Sequence, residues 1–226
     1  MNYAETHLRQ TDVIPADILN TPITIVGAGG IGSHTAYLLA RTGFKNLTVF
    51  DDDTVEKHNL GGQIYTKYDV GRHKVDALKG IILRDTDIKI NEISSRYFNT
   101  EEYPVVFEGT QFNQPKIVIS GVDSMASRHA ILDLLPFTCE YYIDGRMSIS
   151  ECQVYTCEPH VNRAKYLTTL FSDTESTFQA CSAQQTMFTA YFMAGAIVNQ
   201  VVHILTKASY KSEINLDSMG LRLGAR

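Results

Sequence analysis

The residues of this chain most able to do chemistry begin with a glycine cluster. Gly27, Gly29, Gly30 and Gly32 stand in GAGGIGS directly behind the apolar run Ile23, Ile25 and Val26. Glycines at those positions let a backbone turn tightly and expose its N–H groups, and a helix opening at the same point adds its positive end, so the loop suits a phosphate. Asp51 closes the next apolar run, 19 residues after Gly32. That spacing sets a carboxylate at a strand tip, where a ribose hydroxyl would lie. These features fit NAD and ATP equally well.

The residues just past Asp51 shift the balance. Asp52 and Asp53 come next, then Glu56, Asn59 and Gln63. Three successive carboxylates repel one another and are poorly placed for bare phosphates, so they call for a cation or ample solvent. A Mg²⁺-nucleotide brings that cation and a nicotinamide dinucleotide does not. Asn59 and Gln63 can add neutral hydrogen bonds near the phosphates. Lys74 is expected at the amino end of a helix, where a positive charge is favourable only beside an anion. Asp123 lies just beyond the run KIVIS, in the crevice at the carboxyl ends of strands where α/β proteins bind ligands, and a second carboxylate there again points to Mg²⁺. The plainer readings are a solvated aspartate turn, an ordinary surface lysine at position 74, and Arg128 and Arg146 pairing with Asp133 or Asp144.

The hydrophobic pattern indicates the elements that must position these groups. A strand is expected from Ile23, a helix over 31–42 ended by Gly43, and a short buried strand over 47–50. A helix over 74–83, an alternating strand over 88–93 and a buried strand over 116–120 complete a βαβαβ unit with one strand more. Beyond it come a helix over 128–135, strands over 141–143 and 149–157, a polar crossing loop over 158–180, an apolar helix from about 184 to 205 and a closing strand over 214–216. Residues 1–20 read as an N-terminal arm. The expected class is α/β: a Rossmann-like, mostly parallel sheet with helices on both faces and an antiparallel C-terminal extension.

With 226 residues and 44% hydrophobic composition, the chain can bury one substantial core, and no Pro/Ser/Gly-rich linker divides it, so residues 1–226 are expected to form a single domain. A net charge of -5 provides no basic field, and nucleic acid is not an expected partner. Cys139, Cys152, Cys157 and Cys181 form no C-x-x-C pair, which argues against a redox dithiol or a structural zinc and points to a reducing, cytoplasmic setting. The start MNYAETHLRQTD does not read as a secretory signal. The apolar stretch Met187 to Leu205 is interrupted by Thr189, Asn199, Gln200 and His203, which suits a buried helix better than a membrane span.

Taken jointly, Arg9-Gln10, GAGGIGS, D-x-D-x-V-E-x-x-N-L-x-x-Q, G-x-x-K and D-S-x-x-S-R resemble the ThiF/MoeB/HesA superfamily of adenylating enzymes and the adenylation half of ubiquitin-activating enzymes, over residues 7 to about 205. The resemblance implies an ATP-dependent adenylyltransferase. It would transfer AMP to the C-terminal glycine carboxylate of a small ubiquitin-like or sulfur-carrier protein ending in Gly-Gly, and would work as a homodimer. By the motif match, Asp51 would hold the ribose, Asp53 and Asn59 would line the nucleotide, Lys74 would neutralise phosphate charge and Asp123 would position Mg²⁺. Arg9 matches an arginine that members insert into the neighbouring subunit's site, and Arg128 the arginine closing the D-S-x-x-S-R turn.

The sequence also departs from that pattern. Gly62 stands where the family usually has an arginine, N-L-x-R-Q, so another cation must serve, and Arg72 and His73 are the expected substitutes. Cys181 lies near where thioester- or persulfide-forming cysteines occur, although its neighbourhood QACSAQ supplies no basic partner and a buried anchor is the plainer reading. A nucleotide-binding partner subunit of reduced activity and an NAD-dependent oxidoreductase stand as the rival readings.

Overall fold

The computed structural model describes residues 6–97, 114–148, 151–171 and 186–226. Its strands are β1 Ile23–Val26, β2 Leu47–Phe50, β3 Asn91–Ile93, β4 Ile117–Ser120, β5 Tyr141–Met147, β6 Glu151–Cys157, β7 Glu213–Asp217 and β8 Arg222–Ala225. The α-helices are α1 Gly30–Thr42, α2 Lys74–Thr86, α3 Met125–Asp133, α4 Arg163–Leu167 and α5 Met187–Leu205. One sheet takes the strands in the order β3-β2-β1-β4-β5-β6-β7-β8. Pairing is parallel from β3 to β5 and antiparallel from β6 onward, which is the expected Rossmann-like class with its antiparallel extension.

Alternation along the central strands explains why both faces are covered. Ile25, Val49, Ile119 and Ile143 join one apolar cluster with α1, α2 and α5. Their neighbours Val26, Phe50, Val118 and Tyr142 join a second cluster, with Ile131 of α3 and Tyr166 of α4. Successive side chains of a strand point to opposite faces, so strands that are buried at every position need helices on both sides. The chain leaves β1 toward β2 on one side and reaches β4 on the other. The carboxyl ends of β1 and β4 therefore open a crevice at the switch point.

The structure differs from the sequence reading in several segments, β5 running on to Met147 and α3 starting at Met125 among them. The alternating run 88–93 shrinks to the three residues of β3. The loop expected over 158–180 contains α4, whose Tyr166 is buried, and residues 172–180 lie outside the described residues. Strand β8 has no counterpart in the hydrophobic pattern because all four of its residues are exposed, so it is held by backbone pairing to β7. Helix α5 is long and apolar enough to cross a membrane by length and composition. Here its Ala190, Met193, Ala194, Ile197 and Val201 are buried against the sheet and α1, while Phe188, Tyr191 and Phe192 are exposed.

Candidate nucleotide site

At the switch point, β1 ends in a loop that requires glycine at positions 27 and 32. Gly27 has φ 92, a left-handed conformation that costs little only without a Cβ. Its N–H donates to the Phe50 carbonyl at 2.8 Å, and the Gly121 N–H donates to the Val26 carbonyl at 2.8 Å. The three strand ends are thus tied together beneath the loop. Gly29 caps α1, and the Tyr65 hydroxyl braces the loop from behind by donating to the Ala28 carbonyl at 2.7 Å.

Asp51 is built into the same frame. Its Oδ2 accepts the Ala28 N–H at 2.6 Å and its Oδ1 accepts the Asp53 N–H at 2.9 Å. Burial pushes its carboxyl up, opposed by the Lys74 charge and by those two N–H groups. Lys74 opens α2 as expected, but the anion beside it is the chain's own: Nζ lies 2.7 Å from Asp53 Oδ2 and 3.9 Å from Asp51 Oδ1. The backbone reinforces this pairing, since the Lys74 N–H donates to the Asp53 carbonyl and the Val55 N–H to the Arg72 carbonyl.

Together these groups line a cleft of about 650 Å³ that also takes in Gly30, Asn59, Gln63, Arg96, Tyr97 and Asp123, a size typical of small-molecule sites. Asn59 is partly spent on structure, its Oδ1 accepting the Glu56 N–H at 2.8 Å. Gln63 is buried in the cleft wall with its carboxamide oxygen unpartnered. Asp123 is exposed and makes no hydrogen bond or ion pair among the described residues. Asp51, Asp52 and Asp53 place their carboxylate oxygens within 4.8 Å of one another. A set of hard oxygen donors with one uncommitted carboxylate nearby fits Mg²⁺.

Several expectations need correction. Arg128 is not on the cleft wall: it is buried beneath it, with Nε 2.9 Å from Asp144 and Nη2 donating to the Val122 carbonyl at 2.6 Å. It therefore acts on the cleft through the Val122–Asp123 turn. Neither expected substitute for an arginine at Gly62 reaches the cleft. Arg72 pairs with Asp69 at 3.0 Å, and His73 Nδ1 contacts the Ser94 hydroxyl at 3.0 Å. Arg9 stands away from its own cleft. Its short 3-10 helix is pinned to the far end of α1, where His7 contacts the Arg41 carbonyl and Gln10 donates to that of Thr42. The 13 residues of α1 separate that point from the glycine loop, roughly 20 Å at 1.5 Å per residue. Cys181 lies outside the described residues, while burial pushes the thiols of Cys139 and Cys152 up to about 12 and that of Cys157 up to about 11.

Behind the Gly62 turn, α1 carries a pH-sensitive contact. His34 is buried, its Nε2 donates to the Gly62 carbonyl at 3.3 Å and its Nδ1 has no partner. Burial lowers its pKa from 6.5. The folded state therefore binds fewer protons than the unfolded one below pH 6.5, and the stability present above that pH is lost as pH falls toward the folded pKa. Melting temperature measured from about pH 8 to about pH 5 should fall more steeply for the parent chain than for His34→Gln. Parallel curves would contradict the assignment.

A mostly parallel sheet whose switch-point crevice holds a glycine loop, a braced strand-tip aspartate and an uncommitted carboxylate defines a Rossmann-like α/β protein with a candidate ligand site there. The ThiF family model matches residues 11–222, and the chain belongs to the ThiF family. Among curated relatives it is 33% identical to the NEDD8-activating enzyme E1 catalytic subunit of Dictyostelium discoideum, over 50% of this chain and 24% of that one. It is 27% identical to the SAMP-activating enzyme E1 of Haloferax volcanii, over 63% and 51%. The chain thus spans about half or less of the length of these relatives. Among solved structures, PaaA superposes with TM-score 0.74 at 19% identity, covering 99% of this chain and 72% of that one. The E. coli MccB structure superposes with TM-score 0.69 at 18% identity, covering 93% and 63%. These two similarities are of fold.

Proposed function

We propose that the chain is an adenylyltransferase that activates the C-terminal glycine carboxylate of a small ubiquitin-like or sulfur-carrier protein ending in Gly-Gly. The observation that carries this reading is the charge balance of the cleft. Its wall holds four carboxylates, Asp51, Asp52, Asp53 and Asp123, against two permanent cations, Lys74 and Arg96. A surplus of negative charge repels a bare polyphosphate and favours a nucleotide that carries its own divalent cation. Asp123 and the Asp51–Asp53 carboxylates would hold Mg²⁺, which supplies charge neutralisation on the phosphates when bound. The activating-enzyme names of the relatives support the same chemistry.

In the reaction, an oxygen of the carrier's carboxylate bonds to the α-phosphorus of ATP. The bond from that phosphorus to the oxygen bridging to the β-phosphate breaks, and pyrophosphate leaves with the electron pair. No proton moves, so alignment and charge neutralisation supply the catalysis. The glycine-loop N–H groups, Gln63 and Asp51 orient the nucleotide. Arg9 cannot reach its own cleft, and the exposed Phe188, Tyr191 and Phe192 of α5 offer an apolar surface to a second copy. Both features favour a homodimer in which Arg9 of one copy completes the other's cleft.

Mg²⁺-dependent exchange of labelled pyrophosphate into ATP, with Gly-Gly-ending carriers added, tests this. Exchange that needs a carrier and drops by about 100-fold or more in Asp123→Ala is the expected result. ATP binding without exchange would replace the proposal with an inactive partner subunit, and NAD binding without ATP binding would replace it with a dinucleotide enzyme.

A further inference from the structure

The cleft contains a cation that the motif pattern does not supply. We propose that Arg96 takes the place of the arginine missing at position 62 and is the residue that neutralises the phosphates of the bound nucleotide. This rests on the reading of the cleft as an ATP site. Just past β3, Ile93, Ser95 and Tyr97 are buried while Ser94 and Arg96 are exposed. The anchor is Tyr97, whose ring packs edge-on against Phe50 with centroids 5.2 Å apart. With Tyr97 fixed in the core at the cleft's edge, its exposed neighbour Arg96 lines the cleft as well.

Its side chain is far more exposed than that of Lys74. Lys74 is buried between two carboxylates, Asp53 at 2.7 Å and Asp51 at 3.9 Å. Arg96 instead keeps 63% of its side chain exposed and meets Asp52 at 2.7 Å, with Asp53 and Asp123 also acting on its charge. An exposed ion pair of that kind is worth little. A guanidinium can leave it for phosphate oxygens, which match its fork of donors. Asp52, released, would join the carboxylates able to hold the divalent cation that accompanies the nucleotide. Of the other cleft residues, His58 is the remaining basic side chain, and it sits beside Glu56.

Calorimetric titration of the full chain with ATP, AMP and adenosine in Mg²⁺ buffer separates this role from a structural one. In Arg96→Gln, ATP affinity should fall roughly 10- to 100-fold, the loss expected for charge-assisted hydrogen bonds. AMP should lose less and adenosine less than twofold, because adenosine brings no phosphate. Arg96→Lys should recover most of the ATP affinity, and the loss in Arg96→Gln should shrink as salt is raised. Unchanged ATP binding in Arg96→Gln, or an equal loss for adenosine, overturns the assignment of Arg96. Failure of the parent chain to bind ATP would overturn the ATP reading itself, and the two failures are distinct.

Discussion

Asp144→Ala is expected to lower the unfolding free energy by about 3–5 kcal/mol, a large part of the roughly 5–15 kcal/mol that holds a domain together. Asp144 is wholly buried in β5 and, among the described residues, is the single counter-charge for two guanidiniums. Its Oδ1 accepts from Arg128 Nε at 2.9 Å, and its Oδ2 from Arg146 Nε at 2.7 Å and from the Tyr166 hydroxyl at 2.9 Å. Both arginines are themselves buried. Removing the carboxylate leaves two charges in the interior with no anion, which costs more than the ion pairs contribute in the native fold. Arg146 has some compensation from the Thr169 carbonyl and hydroxyl and from the face of Tyr155. Among the described residues, Arg128 otherwise has the Val122 and Gly145 carbonyls alone.

Replacing the whole cluster, as Asp144→Leu with Arg128→Met and Arg146→Met, should recover most of that stability, because no charge is then stranded. Urea midpoints of the two variants check the stability claim, since the single substitution must lie far below the triple. The triple variant should nonetheless bind ATP more weakly than the parent, because Arg128 no longer holds the Val122 carbonyl beside Asp123. Parent-like ATP affinity in the triple variant would remove the positioning role assigned to Arg128.

The legibility of each feature in the sequence depends on whether its cause is local. The β1–α1–β2 unit and its loop are local, since apolar runs and glycines print their own geometry, and the structure places them within a residue of expectation. Arg128 and Arg146 show the limit. Both sit in the sequence near several acidic residues, and pairing with Asp144 is one of two alternatives that the sequence leaves open. The decision depends on β5 running through Met147, four residues beyond the expected strand, which brings Asp144, Gly145 and Arg146 into the sheet interior. Arg96 carries a usable signal in the alternation Ile93, Ser95, Tyr97. Serine at position 95 obscures it by breaking the apolar pattern, although the residue is buried. Arg9 is legible as a motif but not as a location, because its position is set by contacts at the far end of α1.

Gly32→Ala is expected to abolish nucleotide binding while Gly80→Ala, the same chemical change in α2, leaves it intact. A Cβ at Gly32 would stand 1.7 Å from the Gly27 carbonyl oxygen and 2.9 Å from its carbon, and neither is the end of a side chain that could turn aside. The Gly27 carbonyl cannot retreat cheaply, because a Cβ at Gly27 itself would already meet the Gly121 carbonyl oxygen at 3.0 Å. The loop, α1 and the end of β4 are in mutual backbone contact, so α1 has to move outward. That shift breaks the Ala28 N–H bond to Asp51 and carries the N–H groups of the loop away from a phosphate. Losing two such charge-assisted bonds corresponds to roughly 100-fold or more in affinity, with a further 1–3 kcal/mol or so of overpacking cost to stability. At Gly80 a Cβ would meet only the Arg72 Nη2 at 3.7 Å, and an alanine in a helix interior stabilises by about 0.5–1 kcal/mol. Titration with ATP alongside thermal melts of both variants reads the contrast directly. Gly32→Ala that binds ATP like the parent would mean that the glycine-loop N–H groups are not what holds the phosphates.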